Sequence, residues 1–262
     1  LLSSSITVDN VSTSLASLGL DVDANSTVSS LTVGHTTPVS IASSRTLSGA
    51  ITVTAGSIKL DETGELASTI AMSGGVLDAD ESSTVSGALT QSGNIEIDVA
   101  DNKTLTYSGT AISLGANTLT LSGGGSLVSG GLTLNNADSK LLLNSITVDS
   151  VSTSADSLGL DVDNNSTITA LSVGHITPVS VAAGRSLSGA ITVTAGSLKL
   201  TEAGTLASTI AMSGGVLDAD ESSTVSGALS HSADITIDVA DNKTLTYSGT
   251  AISLGANMLT LS

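Results

Sequence analysis

Apolar residues in this chain occur in short alternating runs. In the stretch 49–68, GAITVTAGSIKLDETGELAS, Ile51 and Val53 flank Thr52, and a Gly-Ser break precedes the next alternating run. A period of two residues is typical of a β-strand, and no run is long enough for a helix. Strands this short cannot bury an apolar face alone. They therefore predict a solenoid, in which copies of the same coil cover one another.

The chain repeats itself with an offset of 140 residues. SITVD at 5–9 recurs at 145–149, DADESS at 78–83 recurs at 218–223, and about four in five of the paired positions are identical. Residues 123–144 occur once and complete the first unit. We therefore predict a first unit over 1–144, cut mid-pattern at its start, and an incomplete second unit over 145–262. Together they are expected to form one continuous rod.

A shorter rhythm runs inside each unit. Its markers are triplets of the type Ile6-Thr7-Val8, which recur at 31–33, 51–53, 70–72, 112–114, 132–134 and 146–148, with Leu89 opening a further coil. This spacing predicts seven coils of about twenty residues in each 140-residue unit of an all-β, parallel β-solenoid.

The rhythm also gives three local expectations. The glycine of motifs such as RTLSG at 45–49 and STVSG at 83–87 is expected where the backbone turns a corner. Between Gly75 and Ser83 the alternation is out of step with the preceding coil, which predicts a bulge. The central threonines Thr7, Thr32, Thr52 and Thr133 are expected to form one outward-facing column, with their counterparts in the second unit.

Composition excludes several classes of protein. The chain has no Phe, Trp or Cys and only two Tyr, so the core must be aliphatic. Tandem immunoglobulin-like sandwiches, the main alternative fold, need aromatic cores and a unit near 100 residues. The net charge of -17 repels phosphates and argues against nucleic acid as a partner. No apolar run approaches the ~20 residues of a membrane span, so no membrane insertion is expected.

These triplets, the Gly-Ser corners and the recurring S-T-[LV]-S-G-A-[IL]-T pattern resemble the β-helical repeat regions of filamentous haemagglutinin-like and autotransporter adhesins of Gram-negative bacteria. The resemblance covers the whole chain and is one of composition and rhythm. It implies a secreted, surface-displayed shaft with a right-handed, triangular solenoid.

Two acidic patterns are candidate calcium sites. The first is the D-x-D-x-N sequence that begins at Asp21 and again at Asp161, although the Gly and Glu of a complete calcium loop are missing. The second is the DADE sequence of each unit. The alternative for both is a solvated acidic face. The candidate ligands are Asp21, Asp23, Asp78, Asp80, Glu81, Asp161, Asp163, Asp218, Asp220 and Glu221.

No pattern of residues points to catalysis. The chain contains no G-x-S-x-G motif, and His231 stands where the first unit has Gln91, an exchange that a catalytic histidine would not tolerate. His35 lacks a second His or Cys at ligand spacing. We expect no enzymatic activity and no cofactor other than calcium.

The sequence therefore predicts a structural repeat segment of a bacterial secreted or cell-surface adhesin, acting as a stiff shaft for display or adhesion. Its expected partners are further copies of the repeat in a longer chain and a host or neighbouring-cell surface. The alternative is a self-assembling extracellular fibre or matrix protein, in which calcium neutralises the acidic faces. An ice-binding face would need two adjacent threonine columns, and only one is continuous in the sequence.

Overall fold

The computed structural model describes residues 1–15 and 18–262, and every regular element in these ranges is a β-strand. The strands wind into a parallel β-solenoid of about thirteen coils, with about 20 residues in each turn. This confirms the predicted all-β solenoid. The parallel pairing excludes the antiparallel immunoglobulin-like sandwich. Right-handedness and seven coils per unit stay predictions.

In the described part of the chain, no helix is long and apolar enough to cross a membrane.

The chain divides into two compact units. Unit 1 comprises Leu1–Ser113 and Asn117–Gly130, and unit 2 comprises Leu114–Ala116 and Gly131–Ser262. Each unit contains strands of two parallel sheets, here named sheet A and sheet B.

In unit 1, sheet A contains β2 (Leu20–Val22), β4 (Thr37–Ile41), β6 (Ser57–Leu60), β9 (Val76–Ala79), β12 (Ile95–Val99) and β15 (Thr118–Ser122). Sheet B contains β1 (Thr7–Thr13), β3 (Ser26–Val33), β5 (Thr46–Val53), β7 (Glu65–Leu66), β8 (Thr69–Met72), β10 (Ser83–Val85), β11 (Leu89–Gln91), β13 (Thr104–Tyr107), β14 (Ile112–Ser113) and β16 (Ser126–Ser129).

In unit 2, sheet A contains β18 (Lys140–Leu143), β20 (Gly159–Val162), β22 (Thr177–Val181), β24 (Ser197–Leu200), β27 (Val216–Ala219), β30 (Ile235–Val239) and β32 (Leu259–Leu261). Sheet B contains β17 (Leu132–Leu134), β19 (Thr147–Thr153), β21 (Ser166–Val173), β23 (Ser186–Val193), β25 (Thr205–Leu206), β26 (Thr209–Met212), β28 (Ser223–Val225), β29 (Leu229–His231) and β31 (Leu245–Tyr247).

Stacked aliphatic side chains form the core of each unit. In sheet A of unit 1, Ile58 pairs with Leu77, and Leu77 pairs with Ile97. In sheet B, Leu31 and Ile51 pair in the same way. All five side chains are at most 2% exposed. Since each fully buried Leu or Ile stabilises the fold by about 1.5–3 kcal/mol, the stacked coils protect what an isolated strand would leave in water.

The bulge predicted between Gly75 and Ser83 is wrong. Strands β6 and β9 pair without interruption, with Lys59 opposite Asp78 and Leu60 opposite Ala79. A corner can contain an odd or an even number of residues. The alternation in one coil therefore does not determine which residue numbers face inward in the next coil. The register shifts occur instead in sheet B, between Val28 and Leu31 in unit 1 and between Ile168 and Ala170 in unit 2.

These shifts lie beside glycines of the predicted corner motif. Gly49 pairs with Val28 and has φ of +126°. In a later coil, Gly87 lies between β10 and β11, where sheet B is divided into two strands. The predicted corner is wrong for Gly49, which lies within the continuous strand β5 beside the register shift. Its positive φ shows that the backbone does adopt a conformation that favours glycine there.

The predicted threonine column is only partly confirmed. Thr32 does pair with Thr52. Thr7 instead pairs with Thr27, and Ser12 occupies the position opposite Thr32. The seven-residue strand β1 pairs with β3 along most of its length, so Thr7 lies opposite the start of β3 and not opposite Thr32. The first triplet of each unit therefore does not belong to the column that contains Thr32 and Thr52.

Candidate functional site

The ionic groups of sheet A are arranged as pairs between successive coils. Lys59 on β6 lies opposite Asp78 on β9, because the two strands pair in register. Its Nζ atom is 3.1 Å from Asp78 Oδ2 and 2.5 Å from Asp80 Oδ2. One lysine therefore forms ion pairs with two of the predicted calcium ligands.

Glu81, the third acidic residue of this cluster, contacts a different lysine. Its Oε2 atom accepts a hydrogen bond of 2.6 Å from Lys103, which precedes β13. Asp78 and Asp80 thus pair with the preceding coil, whereas Glu81 pairs with the following one. The sequence placed these three carboxylates together, and the fold divides them between two lysines.

Unit 2 repeats the arrangement. Lys199 Nζ lies 2.9 Å from Asp218 Oδ2 and 2.8 Å from Asp220 Oδ2. Lys243 binds Glu221 at 2.6 Å, and Lys140 binds Asp161 at 2.5 Å. Together with Lys59 and Lys103, these are all five lysines of the chain. Sequence reasoning missed this pattern because each lysine is separated from its partner by one full coil.

Of the remaining candidate ligands, Asp21 lies within β2, and Asp23 and Asp163 directly follow β2 and β20. Asp21 and Asp23 are exposed, as is Asp163 in unit 2. The Oδ1 atom of Asn25, the third oxygen-bearing residue of the predicted loop, accepts a hydrogen bond of 3.1 Å from the backbone nitrogen of Thr46. This asparagine therefore joins two coils through its side-chain oxygen.

Among the described residues, no group of three or more His, Asp or Glu side chains is arranged to hold a metal ion. The carboxylates that could supply such a group are spread along the sheet and paired with lysines. Calcium binding by any of these residues stays a prediction.

The lysine pairs perturb the ionisation of their members. Hydrogen bonding to Asp80 raises the pKa of Lys59 above its ordinary value, and hydrogen bonding to Asp220 and Asp218 does the same to the pKa of Lys199. Burial raises the pKa of Asp78, although the hydrogen bond from Lys59 opposes this effect. Burial therefore raises the pKa of Asp78 by more than the hydrogen bond from Lys59 lowers it.

Hydroxyl groups line one surface depression of unit 1. It has a volume of about 470 Å³ and is bounded by Ser5, Thr7, Asn25, Thr27 and Ser48, together with Ile6, Ser26 and Thr46. None of these residues carries a charge. The geometry offers no nucleophile paired with a base at this place, and we assign no chemical step to it.

The two sheets differ in charge. Most lysines and carboxylates lie on the strands of sheet A and at the corners that join the two sheets. In unit 1 the strands of sheet B contain only Asp9, on β1, and Glu65, on β7. The residue of unit 2 that is equivalent to Glu65 is Thr205. Sequence analysis did not detect this separation, because the strands of the two sheets alternate along the chain.

Comparison of the chain with protein-family models, with curated proteins and with solved structures found no match.

Proposed function

We propose that this chain is a structural repeat segment of a bacterial secreted or cell-surface adhesin, in which it acts as a stiff shaft. The observation that carries the proposal is the way the coils are joined. Each described coil shares parallel backbone hydrogen bonds with its neighbours and contributes aliphatic side chains to a common core. Added coils extend such a structure without creating a new kind of site.

Cross-coil side-chain contacts support the same role. The lysine pairs join neighbouring coils on sheet A and at the corners before sheet B. Hydroxyl groups such as those of Thr27 and Ser48, 2.8 Å apart, do so on sheet B. Each exposed ion pair contributes at most about 1 kcal/mol, but the contacts recur on many coils. They resist sliding of one coil over another, which a shaft under load requires.

Labelling of intact cells tests the location. Antibodies raised against the 262-residue chain are expected to label living cells of the organism that produces it. Labelling only after permeabilisation would contradict the surface role.

Mechanical stretching of the purified chain tests the shaft itself. Detachment of one coil of about 20 residues releases about 66–72 Å of extended chain, so force–extension curves are expected to show steps of this size. Smooth extension at low force, without steps, would contradict a load-bearing role.

A self-assembling extracellular fibre or matrix protein is the second candidate. The separation of charge between the two sheets favours it, because sheet B provides a surface on which an acidic chain meets little repulsion. Calcium is the counter-ion proposed for the acidic sheet. Light scattering with and without calcium tests this candidate, and assembly should increase when calcium is added.

A further inference from the structure

Sheet B of unit 2 carries one charged residue on its strands, Asp149 on β19, and none on the strands of the coils that follow. The strands of sheet B from β21 to β31 contain no Asp, Glu, Lys or Arg, and all of their residues lie in the described part of the chain. The strands of sheet A in the same unit contain Lys140, Asp161, Lys199, Asp218 and Asp238. We call the outward side of β21, β23, β25, β26, β28, β29 and β31 the uncharged face.

The uncharged face is regular and has only short side chains at its centre. Ser172 pairs with Thr192, Thr192 with Ala211, and Ala211 with Ser230. All four residues are exposed. Successive coils are about 4.8 Å apart, so this row presents one small side chain at each step. A second surface of the same kind can approach it closely along the whole row.

We propose that the uncharged face of unit 2 binds the same face of a second copy of this chain, giving a symmetric side-by-side dimer. The inference rests on the second candidate function and names the surface through which assembly occurs. It does not depend on the shaft role.

Electrostatics favours this face over sheet A for contact between two copies of the chain. Two copies that each carry a net charge of -17 repel one another, most strongly where carboxylates face carboxylates. Contact through the uncharged face keeps the carboxylates of sheet A on the outer sides of the dimer. The equivalent face of unit 1 contains Glu65, whereas unit 2 has Thr205 at that place, so unit 2 is the better interface.

The area of the face is sufficient for a specific contact. The eight-residue strands β21 and β23 are about 26 Å long, and five stacked coils are about 24 Å high. The footprint is therefore at most about 600 Å² on each copy, since β31 has only three residues. Standard protein–protein interfaces bury about 800 Å² of accessible surface per partner, and accessible area exceeds a flat footprint. The methyl groups of Thr192 and Ala211 supply apolar contact at its centre.

Two matched substitutions test the proposal in the full 262-residue chain. Thr205→Glu adds a negative charge to the uncharged face, and Thr236→Glu adds the same charge to sheet A. Both changes introduce the residue that unit 1 carries at the equivalent position, Glu65 and Glu96, so both variants are expected to fold. Circular dichroism checks this. Thr192→Glu, at the centre of the face, gives a stronger version of the first change.

Sedimentation equilibrium in the presence of EDTA gives the dissociation constant of the dimer. Thr205→Glu is expected to raise it about tenfold or more, Thr192→Glu still further, and Thr236→Glu by no more than about twofold. Raising NaCl to about 0.5 M is expected to tighten the wild-type dimer, because salt screens the repulsion between acidic chains.

A wild-type chain that stays monomeric in high salt would overturn the proposal, and so would a monomer that instead binds ice or an insoluble polysaccharide. Equal weakening by Thr236→Glu and Thr205→Glu would also overturn it, as would a dimer that salt or EDTA dissociates. Assembly that is unchanged in Thr205→Glu and Thr192→Glu would leave the fibre candidate standing and remove this face as its interface. None of these results bears on labelling of intact cells.

Discussion

The phenolic oxygen of Tyr107 lies 2.9 Å from the backbone nitrogen of Leu89 on the preceding coil and accepts its hydrogen bond. Tyr107 is 4% exposed, so one of only two aromatic residues in the chain lies in the core and satisfies a backbone donor there. In unit 2, Tyr247 accepts the corresponding bond from Leu229 at 3.0 Å, but its side chain is half-buried.

Tyr107→Phe should therefore destabilise the fold. Removing the hydroxyl leaves the Leu89 nitrogen buried without its acceptor, which costs about 1–3 kcal/mol. Tyr247→Phe is the matched control and should cost less than about 1 kcal/mol, since water can replace the lost acceptor. Urea unfolding followed by circular dichroism measures both, and hydrogen exchange of the segment containing Leu89 locates the effect. Equal costs for the two variants would contradict the assignment.

Gly49 should not tolerate a side chain. Its φ of +126° disfavours L-residues, and a Cβ atom at this position would lie 1.8 Å from the carbonyl oxygen of Val28. Gly49→Ala should cost at least about 2 kcal/mol, because backbone strain adds to the clash.

Gly184→Ala is the control for this prediction. Gly184 also has a positive φ of +74°, but a Cβ atom added there would have no other atom within 4 Å. The substitution should cost only the strain of the left-handed conformation, about 1–2 kcal/mol. Thermal unfolding of both variants gives the comparison. A smaller cost at Gly49 than at Gly184 would show that the strand bends there in another way.

Stability should fall at high pH through the lysine pairs. The folded-state pKa values of Lys59 and Lys199 are raised above the ordinary lysine value of 10.5. Their contribution is therefore fully present below about pH 10.5 and is lost as the pH rises through the higher folded-state pKa. The variant Lys59→Gln/Lys199→Gln should lose this part of the alkaline decrease, measured as the difference in melting temperature from wild type. If the difference in melting temperature between this variant and wild type stays constant as the pH rises above about 10.5, the prediction is wrong.

Asp78 should act in the same sense as the lysines, but at low pH. Burial raises its folded-state pKa above 3.8, so the folded chain binds a proton more readily than the unfolded chain. Between these two pKa values its contribution to stability declines as the pH rises. Asp78→Asn should therefore reduce the pH dependence of the melting temperature in this acidic window. Asp61→Asn, on the neighbouring coil, serves as the control.

Calcium should compete with lysine on sheet A. Asp218 and Asp220 are bound by Lys199, so an ion that uses these carboxylates must displace its ammonium group. Lys199→Gln should increase calcium affinity about tenfold, since it removes a positive charge within ion-pair distance. Arg185→Gln removes the same charge at a corner and should change it little. Isothermal titration calorimetry measures the calcium affinity of wild type and of both variants. Equal affinities for wild type and Lys199→Gln would exclude Asp218 and Asp220 as ligands.

Much of the fold follows from local patterns. The alternation at Ile51-Thr52-Val53 correctly predicted which side chains are buried, because the strand period depends only on backbone geometry. The glycine of the RTLSG motif indicated a backbone conformation that favours glycine, although not a corner, for a similarly local reason. The candidate site was harder to predict. Asp78, Asp80 and Glu81 are neighbours in sequence, but nothing in their spacing shows that Lys59 and Lys103 lie one coil away on either side.

The sequence by itself determined that this chain forms short strands with an aliphatic interior and that it builds coils of about twenty residues, since these properties depend on side-chain period and composition. Only the tertiary structure decided which residues stand opposite one another. The lengths of the corners set the register, and the register placed Ser12 rather than Thr7 opposite Thr32, matched each lysine with its carboxylates and gathered the uncharged strands on one face.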